Sequence, residues 1–325
     1  MNSDVRSWSV LADHPTADEV LAGVDLTGRT ALVTGGYSGI GPATVAALAR
    51  AGARVLVPAR RPDEARQVLA DVAGVEVGQI EVESLDLSDQ ASVAAYAQTL
   101  LDDGTHLDIL IGSAGIMATP ETHTPQGWEL QMATNHLGHF ALVNRLWPLL
   151  TGGARVVSVS SSGHHLSDIR WDDPWFTLGY DKWEAYGQSK TANALFAVHL
   201  DALGREHGVR AFSLHPGAIL TPLGRHLGAD DLEKVMVRDE HGELVLPEFK
   251  TPEQGAATSV WAATAAELEA HGGRYLEDVA VAEIATDDEV RAAESIGVKA
   301  YAQDPAAAAR LWAWSARLTG VDAFA

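Results

Sequence analysis

Tyr186 and Lys190 stand four residues apart, a spacing that puts two side chains on one face of a helix. A phenol titrates near ~10 in water, too high for ready proton exchange at neutral pH. A neighbouring ammonium favours the phenolate and lowers that value, so the pair can act as a proton-transfer device in a closed cleft. Alone, Tyr-x-x-x-Lys is common on helix surfaces and carries no chemistry. A second feature gives it context, the segment Thr34-Gly35-Gly36-Tyr37-Ser38-Gly39-Ile40-Gly41-Pro42. Gly35, Gly39 and Gly41 fall where a chain must turn sharply from strand into helix. Residues without Cβ let a pyrophosphate approach backbone amides at a helix N-terminus. Pro42 suits the first helical position, where its missing N–H has no helical partner anyway. The glycine spacing differs from the general Gly-x-Gly-x-x-Gly fingerprint, yet the strand before and helix after predict a dinucleotide-binding turn.

Both features need a scaffold that brings residue 35 and residue 186 together. A short apolar, β-branched run at 30–34 predicts a buried strand, followed by an alanine-rich helix at 42–51 and a strand at 54–57. The alternation continues with a helix near 62–72, a strand near 79–85, a helix near 88–102 and a strand at 107–111. A long helix around 127–150, a strand at 155–160, a helix over 182–207 and a strand at 209–214 follow. Strands regularly separated by helices imply right-handed crossovers and a parallel sheet with both faces covered. The expected fold class is therefore α/β, a doubly wound parallel sheet in a single main domain. Thr16 and Glu19 have capping-box spacing, which predicts a short helix within an N-terminal extension, residues 1–27. Residues 28–325 then form the dinucleotide-binding catalytic domain, with a flap at about 218–250 where glycine, charge and short apolar pieces mix. Helical periodicity returns near 253–270, a last strand is expected at 272–276, and a helix near 305–318 closes the chain.

Composition narrows the partners. With 325 residues, 46% of them hydrophobic and 21% charged, the chain can bury a sizeable core. Its net charge of −21 repels phosphate backbones and anionic lipid, so neither nucleic acid nor a membrane surface is an expected partner. No cysteine is present, which excludes disulfides, thiolate catalysis and cysteine-based metal sites. The amino terminus has no basic, then apolar, signal-peptide pattern, and no apolar run reaches the ~18 residues of a spanning helix. A soluble, cytoplasmic protein is expected. His136 with His139, and the adjacent His164 and His165, invite a metal reading; no acidic or histidine cluster completes a site, so packing and hydrogen bonding are expected instead and no metal.

The Thr-Gly-x-x-x-Gly-Ile-Gly turn with Tyr-x-x-x-Lys resembles the short-chain dehydrogenase/reductase family. Thr-Ala-x-Glu-Val-Leu-x-Gly-x-Asp-Leu-x-Gly at 16–28 and Asn135-His136-Leu137-Gly138-His139-Phe140 look like its retinol dehydrogenase and WW-domain oxidoreductase branch. The resemblance implies a Rossmann-type sheet and a catalytic set of Asn135, Ser161, Tyr186 and Lys190. Ser161 is the second member of the family's serine pair, although Ser160, Ser161 and Ser162 run together here. Tyr186 would exchange the proton, Ser161 would hydrogen-bond the reacting oxygen, and Lys190 would tune the tyrosine and hold the nicotinamide ribose. Asn135 would support a proton-relaying water. The implied cofactor contacts also include Gly35, Tyr37, Ser38, Gly39, Ile40 and Gly41 in the turn, and Asp86 and Leu87 beside the adenine. Ala114 and Gly115 would face the cofactor, with Pro216, Gly217, Ile219 and Thr221 at the nicotinamide end. Family habit implies a homodimer.

Two departures stand out. Gly112-Ser113-Ala114-Gly115 replaces the family's Asn-Asn-Ala-Gly, whose first asparagine braces the central sheet. An insertion at 163–183 carries Trp171, Trp175, Phe176 and Trp183, which either wall the substrate or anchor the loop. Cofactor choice is read from Val57-Pro58-Ala59-Arg60-Arg61, which lacks the carboxylate that would accept both ribose hydroxyls of NAD. Arg60 instead offers a guanidinium to a 2′-phosphate, so NADP(H) is the expected preference and NAD(H) the alternative. The bland reading leaves Arg60 and Arg61 solvated at a loop start. The expected function is hydride transfer between nicotinamide and a small, apolar carbonyl or alcohol. Epimerisation or dehydration on the same scaffold is one alternative. A dinucleotide sensor without turnover is another, though it has no use for a complete Asn–Ser–Tyr–Lys set.

Overall fold

The β-branched runs enter one sheet of eight strands in the computed structural model, which describes residues 14–70, 72, 74–76, 78–231, 237–238, 244–245, 249–285 and 297–325. In chain order the first elements are α1 (Ala17–Val20), β1 (Thr30–Thr34), α2 (Gly41–Arg50), β2 (Arg54–Ala59), α3 (Pro62–Leu69) and β3 (Ile80–Ser84). Then come α4 (Gln90–Asp103), β4 (Ile109–Gly112), α5 (Leu130–Met132), α6 (Gly138–Leu150), β5 (Arg155–Val159), α7 (Lys182–Gly204) and β6 (Arg210–His215). A small ribbon, β7 (Val237–Arg238) with β8 (Leu244–Val245), precedes α8 (Pro252–Thr264), β9 (Tyr275–Glu277), β10 (Ala280–Val281) and α9 (Pro305–Thr319).

The sheet runs β3-β2-β1-β4-β5-β6-β9-β10, parallel throughout except for β10. Order reverses between β1 and β4, and a doubly wound sheet takes its ligands at such a switch point, outside the carboxyl ends of the strands. Successive strand residues point to opposite faces, and both faces are buried. Val33, Val55 and Val57 pack under α2 and α8, whereas Leu32, Leu56 and Leu110 pack under α4, α6 and α7. Each fully buried leucine contributes ~1.5–3 kcal/mol relative to exposure. Pro58 is tolerated inside the sheet because β1 pairs only with Arg54 to Leu56, leaving Pro58 paired on the β3 side alone.

The expected capping box forms, with Thr16 and Glu19 satisfying each other's backbone, and α1 packs Ala17 and Leu21 into the core beside α8 and α2. The helix expected over 127–150 is interrupted. Glu129 caps α5 by accepting from the Gln131 and Met132 amides at 2.9 and 2.7 Å. A π turn over Ala133–Leu137 then widens the spiral before α6. The helix expected to reach 270 ends at Thr264, and β10 adds an edge strand too short for any period-2 signal. Of the flap at 218–250, residues 232–236, 239–243 and 246–248 lie outside the described residues.

Candidate active site

The carboxyl ends of six parallel strands open into a cleft of about 1130 Å³, larger than the roughly 300–1,000 Å³ that holds one drug-sized ligand. Residues following β1, β2, β3, β4 and β5 line it, together with the end of β6 and the segment 216–227. All the expected catalytic and cofactor-contacting residues line this cleft except Gly41 and Asn135, which lie just behind its wall. Gly35 has φ +68°, and a Cβ there would come within 2.7 Å of the Ala114 Cα. At Gly41 a Cβ would lie 2.1 Å from the Gly35 carbonyl, so the turn packs too tightly for any side chain. Its backbone and the start of α2 thereby fit the phosphates of a dinucleotide. Helix α2 begins at Gly41, with Pro42 its second residue.

Asp181 caps α7 by accepting from the Trp183 and Glu184 amides at 2.8 and 2.9 Å, which starts the helix that carries both Tyr186 and Lys190. Both side chains are buried; the Lys190 Nζ donates to the Val159 carbonyl at 2.9 Å and stands 5.7 Å from the Tyr186 ring centre. Burial pushes the Tyr186 phenol up to about 12, against a smaller lowering by its hydrogen bond with Ser161. Burial also brings Lys190 down to about 8. The expectation that the ammonium lowers the phenol therefore gives way to desolvation, which penalises both charged forms.

The three serines separate cleanly. Ser160 is buried and donates to the Lys190 carbonyl at 2.7 Å, while the Ser162 amide donates to His215 Nδ1 at 3.1 Å. Ser161 alone turns its hydroxyl to Tyr186, its oxygen accepting the Gly163 amide at 3.0 Å. Asn135 lies fully buried in the π turn and clamps Ile116: Nδ2 donates to the Ile116 carbonyl at 3.0 Å and Oδ1 accepts its amide at 2.9 Å. Nδ2 also donates to Ser189 Oγ at 2.9 Å. Asp86 uses Oδ1 to hold its own turn, accepting from the Ser88 amide at 2.9 Å and hydroxyl at 2.7 Å. At the far end Arg61 pairs with Glu64 at 2.6 Å, whereas Arg60 is exposed on the cleft wall without an ion pair among the described residues.

The outer wall holds Met117, Leu166, Trp183, Leu223, Leu227 and Phe249, which sequence reasoning singled out only at Trp183. Scattered apolar residues in a loop carry no periodic signal. Trp183 is fixed by donating Nε1 to Asp231 at 2.9 Å, and Lys182 pairs with the same carboxylate at 2.6 Å. The other aromatics of the insertion are anchors. Trp175 stacks between Trp128 and Trp314, Trp171 lies under the Arg310 guanidinium, and Phe176 is buried against Arg170. His215, which had no evident partner in the sequence, braces the serine turn. Among the described residues no group of three or more histidine or acidic side chains could hold a metal, and no helix is long and apolar enough to cross a membrane.

The model of the short chain dehydrogenase family matches residues 29–232. A Streptomyces lividans protein named "Probable oxidoreductase" is 46% identical over 298 residues, covering 90% of this chain and 98% of its own. Human retinol dehydrogenase 14 is 40% identical over 267 residues, covering 77% of this chain and 78% of its own. Among solved structures, an uncharacterised Mycobacterium paratuberculosis protein superposes with a TM-score of 0.72 at 32% identity, covering 96% of this chain and all of that one.

Proposed function

Because this chain belongs to the short-chain dehydrogenase/reductase family, we propose that its cleft transfers a hydride between NADP(H) and a small apolar carbonyl or alcohol, with Tyr186 as the proton donor and acceptor. The observation that carries this reading is the meeting of Ser161, Tyr186 and Lys190 on one wall of a cleft whose other end is the Gly35 turn. When bound, the nicotinamide supplies or accepts the hydride. Tyr186, held near 12, keeps its proton at neutral pH and is ready to give it to a carbonyl oxygen. The Ser161 oxygen accepts the Gly163 amide, and its hydroxyl, hydrogen-bonded to Tyr186 in this structure, would turn to that carbonyl when substrate is bound. Lys190, near 8, stays mostly charged at pH 7 and balances the phenolate left behind. Asn135 fixes Ile116, and Gly115 separates it from Lys190: a Cβ at Gly115 would lie 3.3 Å from Asn135 Oδ1 and 3.5 Å from Lys190 Nζ. Met117, Leu166, Trp183 and Phe249 exclude water and favour an apolar substituent.

The preference for NADP(H) is supported by the exposed Arg60, which has no ion pair among the described residues, beside the neutralised Arg61–Glu64 pair. The roles of Asn135, Ser161 and the cofactor contacts rest on their place in or just behind the cleft wall. Tyr186→Phe tests the whole. Against a panel of aldehydes and ketones, followed by NADPH absorbance, kcat should fall by ~10²–10⁴-fold while NADPH still binds. A variant retaining more than about a third of the rate would remove Tyr186 as the acid.

A further inference from the structure

His139 lies in the first turn of α6, and the proposed chemistry gives its imidazole no task. The ring is only 5% exposed. Nδ1 lies 2.9 Å from the Asn135 carbonyl oxygen and Nε2 lies 2.8 Å from Thr34 Oγ1. A carbonyl only accepts, so Nδ1 carries the proton; burial holds the ring neutral, near about 4, and the bare Nε2 accepts the Thr34 hydroxyl. The Thr34 oxygen in turn accepts the Ala114 amide at 3.1 Å. A continuous chain of hydrogen bonds thus runs from the cleft wall at Ala114, through the end of β1, to the main chain of the Asn135 turn.

The ring also lies against Gly112, the last residue of β4. A Cβ there would stand 3.1 Å from His139 Cδ2 and 3.4 Å from Nε2. Strand β4 therefore sends no side chain into this space, and the imidazole fills it.

We propose that His139 is a positioning residue that ties the Ser113–Ala114–Gly115 wall of the cleft to the Asn135 turn, in the space a side chain at 112 would otherwise take. The catalytic part of this inference rests on the hydride-transfer reading above. Thr34→Val keeps shape but removes the hydroxyl, and His139→Ala removes the ring. Each should lower kcat roughly tenfold with the carbonyl KM within about twofold, the size of one or two lost hydrogen bonds. The double variant should be no slower than the worse single, because both break one chain. His139→Asn, which restores a donor near Nδ1, should recover part of the loss.

Amide hydrogen exchange gives a readout independent of turnover. In both single variants, exchange at Ala114 and across 133–137 should quicken about tenfold, with distant strands unchanged. If the unmodified protein reduces no carbonyl yet this pattern is seen, the functional reading falls and the brace stands. Losses that simply multiply in the double variant would overturn the proposal. So would a lower melting temperature with unchanged kcat, since that marks a core filler. Should His139→Ala not fold, Thr34→Val decides, and unchanged exchange at Ala114 overturns the brace.

Discussion

Lowering the pH from 7 to 5 should strip this protein of much of its stability, because three imidazoles are buried neutral. His136, His139 and His164 are at most 5% exposed, and burial brings them from 6.5 to about 3, 4 and 3. An unfolded chain takes up these protons near ~6.5, whereas the folded chain refuses them until far lower pH. Between those limits the unfolded state binds more protons, so stability is complete above about pH 6.5 and falls as pH drops. At pH 5 each imidazole removes about 2 kcal/mol, and the three together about 6 kcal/mol. Total stabilities are only ~5–15 kcal/mol. Buried Glu129 works in the opposite sense, since burial raises its carboxyl, and it softens the loss. His215, partly exposed in the cleft wall, is also lowered by burial and acts in the same sense as the three. Thermal unfolding followed by circular dichroism at fixed ionic strength should show a midpoint flat above pH 7. By pH 5 it should have fallen by on the order of 10 °C. A midpoint at pH 5 within about 2 °C of that at pH 7 would mean that these imidazoles are not held neutral by the fold. A shallower slope in His136→Gln, whatever its stability at pH 7, should mark the loss of one titrating group.

Three further outcomes are expected. Arg60→Ala should raise KM for NADPH by roughly 10–150-fold, the worth of a charge-assisted hydrogen bond, and leave NADH kinetics almost unchanged; better use of NADH than NADPH by the unmodified protein would sink the NADP(H) preference. Trp175→Ala should cost about 3 kcal/mol of stability through its lost stack between Trp128 and Trp314, with KM barely moved; an unchanged melting temperature with altered substrate preference would make it a substrate wall instead. Carbonyl reduction should decline as pH rises through about 8, where Lys190 loses its charge while Tyr186, near 12, still holds its proton. A limb displaced to near 10 would take that role from Lys190.

What the sequence makes legible is what spacing encodes. Four residues between Tyr186 and Lys190 put them on one helix face, and glycines at a strand-to-helix turn mark the close approach at Gly35 and Gly41. The alternation of runs gives a parallel sheet covered on both faces, whose strands all end on the one side where the cleft opens; the order of the strands comes from the structure. Ser161 is chosen among three serines by resemblance and not by spacing, because the choice depends on where each hydroxyl finds a partner: Ser160 is spent on the Lys190 carbonyl, 30 residues away in sequence. The π turn at Asn135 and the brace at His139 are equally long-range. Each depends on contacts that β1 and β4 make only after the sheet has formed.

Burial is the property that spacing conceals, and at Tyr186 and Lys190 it reverses a local expectation. Coulombic attraction between phenolate and ammonium predicts that the phenol falls; desolvation acts on both groups with opposite sign and drives them apart, to about 12 and about 8. On the proposed roles, this separation matters more than either value. At pH 7 the acid holds its proton and the cation keeps its charge, so reduction of a carbonyl starts from the resting protonation states. Oxidation of an alcohol must begin by freeing the Tyr186 oxygen of a proton held about five pH units above neutrality, a deficit of roughly 7 kcal/mol that binding in the closed cleft would have to offset. On these proposed roles the deprotonated Tyr186 oxygen is the scarce state, and the resting protonation states of Tyr186 and Lys190 match those that carbonyl reduction needs.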